Sequence, residues 1–271
     1  MCYTKEVQLT TGATISLLSI FYYFLFSIKY QASQKKWLLP FLKNVIMACL
    51  LIGGHQIFEF LSLVTQSQIV YKIGLILSLS SMYFFIRSLE VILNKNLRSK
   101  VALYIIGIVA IHMFFIEMSF EPFSFYIKHN SAFIWASAFM LLFIYFHVCA
   151  IRGRRLLKDE SSKKAIIFYL FATLDISFIL SFIYTIWGYS HFSLNVCTDS
   201  PSIWCTFSVI QVLTLPLFLL AVPKILEVPE TKTTQTLKET LLYFIISIAI
   251  LALLVSILPF FNCLSLKFVF P

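Results

Sequence analysis

Within one short stretch, Gly53-Gly54-His55-Gln56-Ile57-Phe58-Glu59, the chain places an imidazole, a carboxamide and a carboxylate. His55 and Glu59 are four apart, and Gln56 and Glu59 are three apart, so a helix presents them on one face. A histidine beside a carboxylate can ligate a divalent metal, exchange a proton, or form a buried pair that locks helix packing. The flanking residues are apolar. An ionisable group in hydrocarbon costs roughly 2.5–3.5 kcal/mol on insertion scales, so it must face a protein interior, pair, or line water.

Other polar residues stand in similarly apolar company. His112 and Glu117 are five apart and share a helix face poorly; His112 joins His55 and Glu59 as a candidate metal ligand. Asp175, inside Thr173-Leu174-Asp175-Ile176-Ser177, is the most expensive residue of the chain and needs a proton, a partner or water. Thr173 and Ser177 point away from it on a helix. Cys2 would carry a free amine beside its thiol if Met1 is removed, a combination suited to nucleophilic attack or chelation. Cys2, Glu59 and Asp175 are therefore the catalytic candidates. His55, Gln56, His112, Trp204, Cys205 and Gln211 are the candidate pocket lining. A disulfide among Cys2, Cys197 and Cys205, or three inert thiols, stands as the alternative for the cysteines.

Several further residues have ordinary explanations. Cys49 and Cys149 read as small core residues, and His147 as a core or interfacial histidine. Ser78, Ser80 and Ser81 are expected to bond their own helix backbone, and Arg87 and Glu90 to snorkel toward a membrane surface.

The elements that must hold these groups follow from composition. The chain has 271 residues, 60% hydrophobic and 12% charged, with mean hydropathy +0.90. A soluble domain carries about 25% charged residues. Eight apolar runs reach the roughly 20 residues that cross a bilayer: 11–30, 40–64, 69–93, 101–120, 131–151, 164–188, 203–226 and 239–261. The expected fold is all-α, a polytopic transmembrane bundle. Residues 1–227 form a seven-helix core, and 228–271 supply a linker, an eighth helix and a short tail. The first run is too long for a cleavable signal and lacks a small-residue cleavage site. No C-x-x-C pair suggests a zinc or redox site. Gly53 and Gly54 offer a place for another helix to approach closely.

Charge orients the bundle. With the N-terminus outside, seventeen of the 21 Lys and Arg residues fall in cytoplasmic connections, leaving Lys5, Lys72, Lys128 and Lys267 outside. The net charge of +9 is thus a topology signal rather than a nucleic-acid surface. Membrane lipids are the expected partners. In this orientation His55 lies near mid-depth and Glu59 in the outer half, with Cys2, Trp204 and Cys205 at the outer end.

Three short pieces resemble an uncharacterised group of bacterial multi-pass membrane proteins that begin Met-Cys-Phe/Tyr-Ser. They are Met1-Cys2-Tyr3-Thr4 with Glu6 behind it, Gln56 with Glu59 three on, and Ser202-Ile203-Trp204-Cys205-Thr206-Phe207 opening the seventh run. Thr4 stands where the group has Ser, and Thr206 departs from an aromatic. The resemblance spans residues 1–227. It implies the seven-helix core and a bacterial inner membrane, and it picks out Cys2, Gln56, Glu59, Trp204 and Cys205 without naming an activity.

The functional expectation is a polar pocket in the outer half of the bundle, in a receptor, sensor or small-solute carrier. Such a pocket would bind a small-molecule or lipid-like ligand, or relay protons through Glu59 and Asp175. The alternative is a membrane-embedded hydrolase or transferase acting on a lipid-like substrate with a divalent metal or Cys2. The seventh run contains no histidine, so the late His pair of seven-helix intramembrane metal hydrolases is missing. It also has no lysine at mid-depth to carry retinal. A structural or assembly subunit is the third possibility.

Overall fold

The computed structural model describes residues 5–31, 35–115, 130–157 and 161–192, with Thr214, Phe218, Ala221, Val222 and Ile225. Among these the fold is wholly helical: α1 (Lys5–Tyr30), α2 (Leu38–Thr65), α3 (Gln68–Leu93), α4 (Ser99–Phe114), α5 (Asn130–Leu156) and α6 (Ser161–Phe192). The chain divides into two compact units. One is Thr4–Asp159, which holds α1 to α5; the other is Met1–Tyr3 with Glu160–Pro271, which holds α6.

Among the described residues, four helical segments are long and apolar enough to cross a membrane: Leu9–Ile28, Leu38–Thr65, Gln68–Leu93 and Ser137–Leu156. The shorter α4 is apolar as well. Large apolar side chains stand exposed in rows, Leu17, Phe21, Phe24 and Ile28 on α1 and Tyr104, Ile108 and Ile111 on α4. Monomeric soluble proteins rarely show such contiguous apolar surface. With hydrocarbon as solvent it carries no penalty, which makes this a membrane protein. Boundaries of the seventh and eighth expected helices lie outside the described residues.

Inside the first unit, α2 packs between α1 and α3, and α3 also touches α4 and α5. A short turn joins α2 to α3. Gln66 ends α2 in the left-handed region (φ 53°), and Ser67 caps α3 by accepting from the amide of Val70. Helices α1 and α2 run antiparallel, as two separate contacts establish. Gly12 meets Gly53 near one end, and Lys43 Nζ sits 5.0 Å from the Tyr23 ring centroid toward the other.

Glycine sets the closest approach. A Cβ at Gly12 would lie 2.8 Å from the carbonyl oxygen of Gly53, a backbone atom that cannot swing away. A Cβ at Gly53 would in turn lie 3.0 Å from the carbonyl oxygen of Gly12. Dispersion between helices in lipid rewards this proximity, because no hydrophobic force drives helices together there. Gly54 is less confined, its nearest neighbour being Leu77 at 3.4 Å.

The opposite end of α3 is organised by Glu90. The sequence expectation was a snorkelling side chain; instead Glu90 is buried, while Arg87 alone stays half exposed and reaches across to it. Glu90 Oε1 accepts from the amides of Leu97 (2.9 Å) and Ser99 (2.9 Å), and Oε2 from Ser99 Oγ (2.8 Å). Four donors thus converge on one carboxylate, which satisfies amides at the start of α4 and complements its dipole. Tyr145 Oη of α5 donates to the carbonyl of Leu97 in the same turn.

In the second unit, Thr173 and Ser177 are buried and bond back to Tyr169 and Thr173 carbonyls. Ser177 Oγ lies 3.3 Å from Thr214 Oγ1. Thr214, Phe218, Ala221, Val222 and Ile225 are helical and buried, a spacing that marks one helix face.

Candidate functional site

The stretch 55–59 lies in the second half of α2, and the packing of its neighbours decides what its polar groups can do. His55, Gln56 and Glu59 are 4%, 1% and 6% exposed. Each comes from a helix position facing protein: Gly12 of α1 lies against Gln56, and Gly74 of α3 against His55 and Phe58. Without a side chain at Gly74, the imidazole comes close against the α3 backbone.

His55 Nδ1 is 3.0 Å from the carbonyl oxygen of Gly74. A carbonyl only accepts, so Nδ1 carries the proton. In the neutral ring Nε2 is then a bare acceptor. It faces Glu59 Oε2 at 3.9 Å, beyond hydrogen-bonding distance. Two acceptor atoms thus face each other inside the protein. A proton on either group converts mutual repulsion into attraction. Ser62 lies one turn further on and donates to the Glu59 carbonyl, so its hydroxyl is used by its own backbone.

The carbonyl after Gly74 is engaged by a different helix. Trp135 Nε1 of α5 donates to Leu75 O (3.0 Å) and to Ser78 Oγ (3.0 Å). Consecutive carbonyls of α3 are therefore held by side chains of α2 and α5. Sequence reasoning passed over Trp135, since an aromatic near a span end reads as an interface anchor. It also counted Lys72 as a loop charge, whereas Lys72 is buried in the second turn of α3, two residues before Gly74.

His112 does not join His55 and Glu59. It closes α4, which packs on α3 and α5, and its buried Nε2 finds no hydrogen-bond partner among the described residues. Among the described residues no three His, Cys, Asp or Glu side chains come together to hold a metal ion. Asp175 is half-buried on α6 in the second unit. Cys2, Trp204, Cys205 and Gln211, with Cys197 and Glu117, lie outside the described residues.

No family model, curated protein or solved structure matches this chain. The chemistry of the site therefore rests on its own geometry. That geometry brings together His55, Gln56 and Glu59 on α2, with the glycines of α1 and α3 making room for them.

The remaining polar groups follow their ordinary roles. Ser78, Ser80 and Ser81 donate to carbonyls of their own helix at 2.6–2.8 Å. His147 turns Nδ1 to the carbonyl of Phe143 (2.7 Å) and packs against that ring. Cys49 and Cys149 are buried free thiols.

Proposed function

We propose that this protein is a receptor, sensor or small-solute carrier of the bacterial inner membrane, and that it takes a proton or a hydrogen-bond donor between His55 and Glu59. Its N-terminus is extracytoplasmic, its core has seven helices over residues 1–227, and an eighth helix follows. The concentration of basic residues in alternate connections supports that orientation. The pocket lies in the outer half of the bundle.

One observation carries the reading. The bare Nε2 of His55 and the Glu59 carboxylate face each other at 3.9 Å while both are buried. An acceptor nitrogen and a carboxylate held this close on one buried helix face form a pair that a shared proton or a ligand's donor bridges. A proton, or a small ammonium or amide compound, carries the donor that His55 Nε2 accepts.

Thermal unfolding of the purified protein in lipid nanodiscs tests this, with a panel of small ammonium and amide compounds and across pH. Stabilisation by at least one condition, absent in Glu59→Gln, supports the site. A variant responding as the unmodified protein does would refute it.

One observation favours a structural subunit instead: His55 Nδ1 is spent on the Gly74 carbonyl, a bond that ties α2 to α3. On that reading Glu59→Gln changes stability and nothing else.

A further inference from the structure

The α3–α4 turn and the end of α5 form a second feature, remote in sequence from His55. Tyr145 of α5 bonds the Leu97 carbonyl, and Gly153 lets α5 lie against Leu93 of α3. These contacts bring the basic residues of two connections to one place. Arg98 directly follows the Leu97 carbonyl that Tyr145 holds, and Arg152 stands seven residues after Tyr145 on the same face of α5, next to Gly153. Both arginines are exposed, as is Arg155.

The carboxylate at this end among the described residues is Glu90, and its oxygens are already filled by Arg87, Ser99 and two amides. Arg87 already balances that single negative charge, so Arg98 and Arg152 add positive charge in excess of it. Arg98 holds a left-handed backbone (φ 55°, ψ 41°), a conformation that costs a non-glycine residue about 1–2 kcal/mol. The Glu90 bonds to the amides on either side of it, at Leu97 and Ser99, hold that conformation in place.

Directly along α5 from these cations runs an exposed apolar row, Leu141, Ile144, Val148 and Ile151. At 100° per residue the row, Arg152 and Arg155 share an arc of roughly 100°. Cations sit above a strip that only hydrocarbon can cover favourably.

We propose that Arg98 and Arg152, assisted by Arg155, hold the phosphate of an anionic phospholipid whose acyl chain lies along Leu141–Ile151. Guanidinium forks match phosphate oxygens two at a time, which a lysine cannot do. The apolar row selects a lipid over a free anion.

Native mass spectrometry tests this on the full chain released from nanodiscs of phosphatidylcholine doped with phosphatidylglycerol. The unmodified protein retains phosphatidylglycerol, and excess inorganic phosphate does not displace it. Arg98→Gln with Arg152→Gln lowers retention by roughly thirtyfold, the product of two charges near a membrane surface. Lys35→Gln with Lys36→Gln removes equal charge from another connection and leaves retention unchanged. Should the arginine pair prove too damaging to fold, Arg152→Gln alone lowers retention by about fivefold. Full retention in the arginine variants, equal loss in the lysine variant, or replacement of the lipid by inorganic phosphate each overturns the assignment.

Discussion

His55 Nδ1 and the carbonyl oxygen of Gly74 meet at 3.0 Å, one residue before the carbonyl that Trp135 of α5 holds. The first bond fixes the proton on Nδ1 and turns Nε2 toward Glu59. The second pins the same stretch of backbone, so α3 acts as a fixed wall behind the imidazole. The functional proposal depends on this rigidity, because an acceptor that can rotate away defines no site.

Replacing Trp135 by Phe keeps the ring and removes the indole N–H. The Leu75 carbonyl retains its bond from Ser78, so the loss is moderate. We expect destabilisation of about 1 kcal/mol, measured by denaturant titration in mixed micelles. No loss would mean that the indole bond does not brace α3.

The glycines make opposite predictions. At Gly12 an added methyl meets the Gly53 carbonyl and Ile57, so Gly12→Ala should separate α1 from α2 and destabilise by about 1–3 kcal/mol. At Gly107 nothing lies within 4 Å, and Gly107→Ala should stabilise α4 by up to about 1 kcal/mol. Equal thermal unfolding of the two variants would contradict the close α1–α2 contact.

Part of this was legible in the chain and part was not. The four-residue spacing of His55 and Glu59 fixes a shared face in any helix, and the apolar runs fix the helices. The shelter around those groups is tertiary: Gly12 and Gly74 are distant in sequence, and no local pattern announces what they face. Gly53 and Gly54 look alike in the chain, yet α1 approaches only the first closely. Glu90 misled for the same reason. A carboxylate three residues after an arginine near a span end reads as a snorkelling pair, and the turn that buries it is formed by residues seven and nine positions on. His112 matched His55 in type, but α4 packs on α3 and α5.

Glu90 and Arg87 should respond unequally to substitution. Glu90→Gln removes the charge that four donors share and puts a donor against some of them, a loss of about 3 kcal/mol. Arg87→Gln removes a half-exposed partner and should cost about 1 kcal/mol or less. Chemical denaturation of both variants checks the ranking. A larger loss at Arg87 would show that the surface ion pair, not the capping of α4, holds this turn.

The most direct test of the central claim is nitrogen NMR of histidine-labelled protein in lipid, with His55 assigned through a His55→Asn variant. The account predicts that His55 Nδ1 is protonated throughout, while the Nε2 signal changes with pH and with Glu59→Gln. A bare Nδ1, or an Nε2 signal indifferent to both, would contradict it.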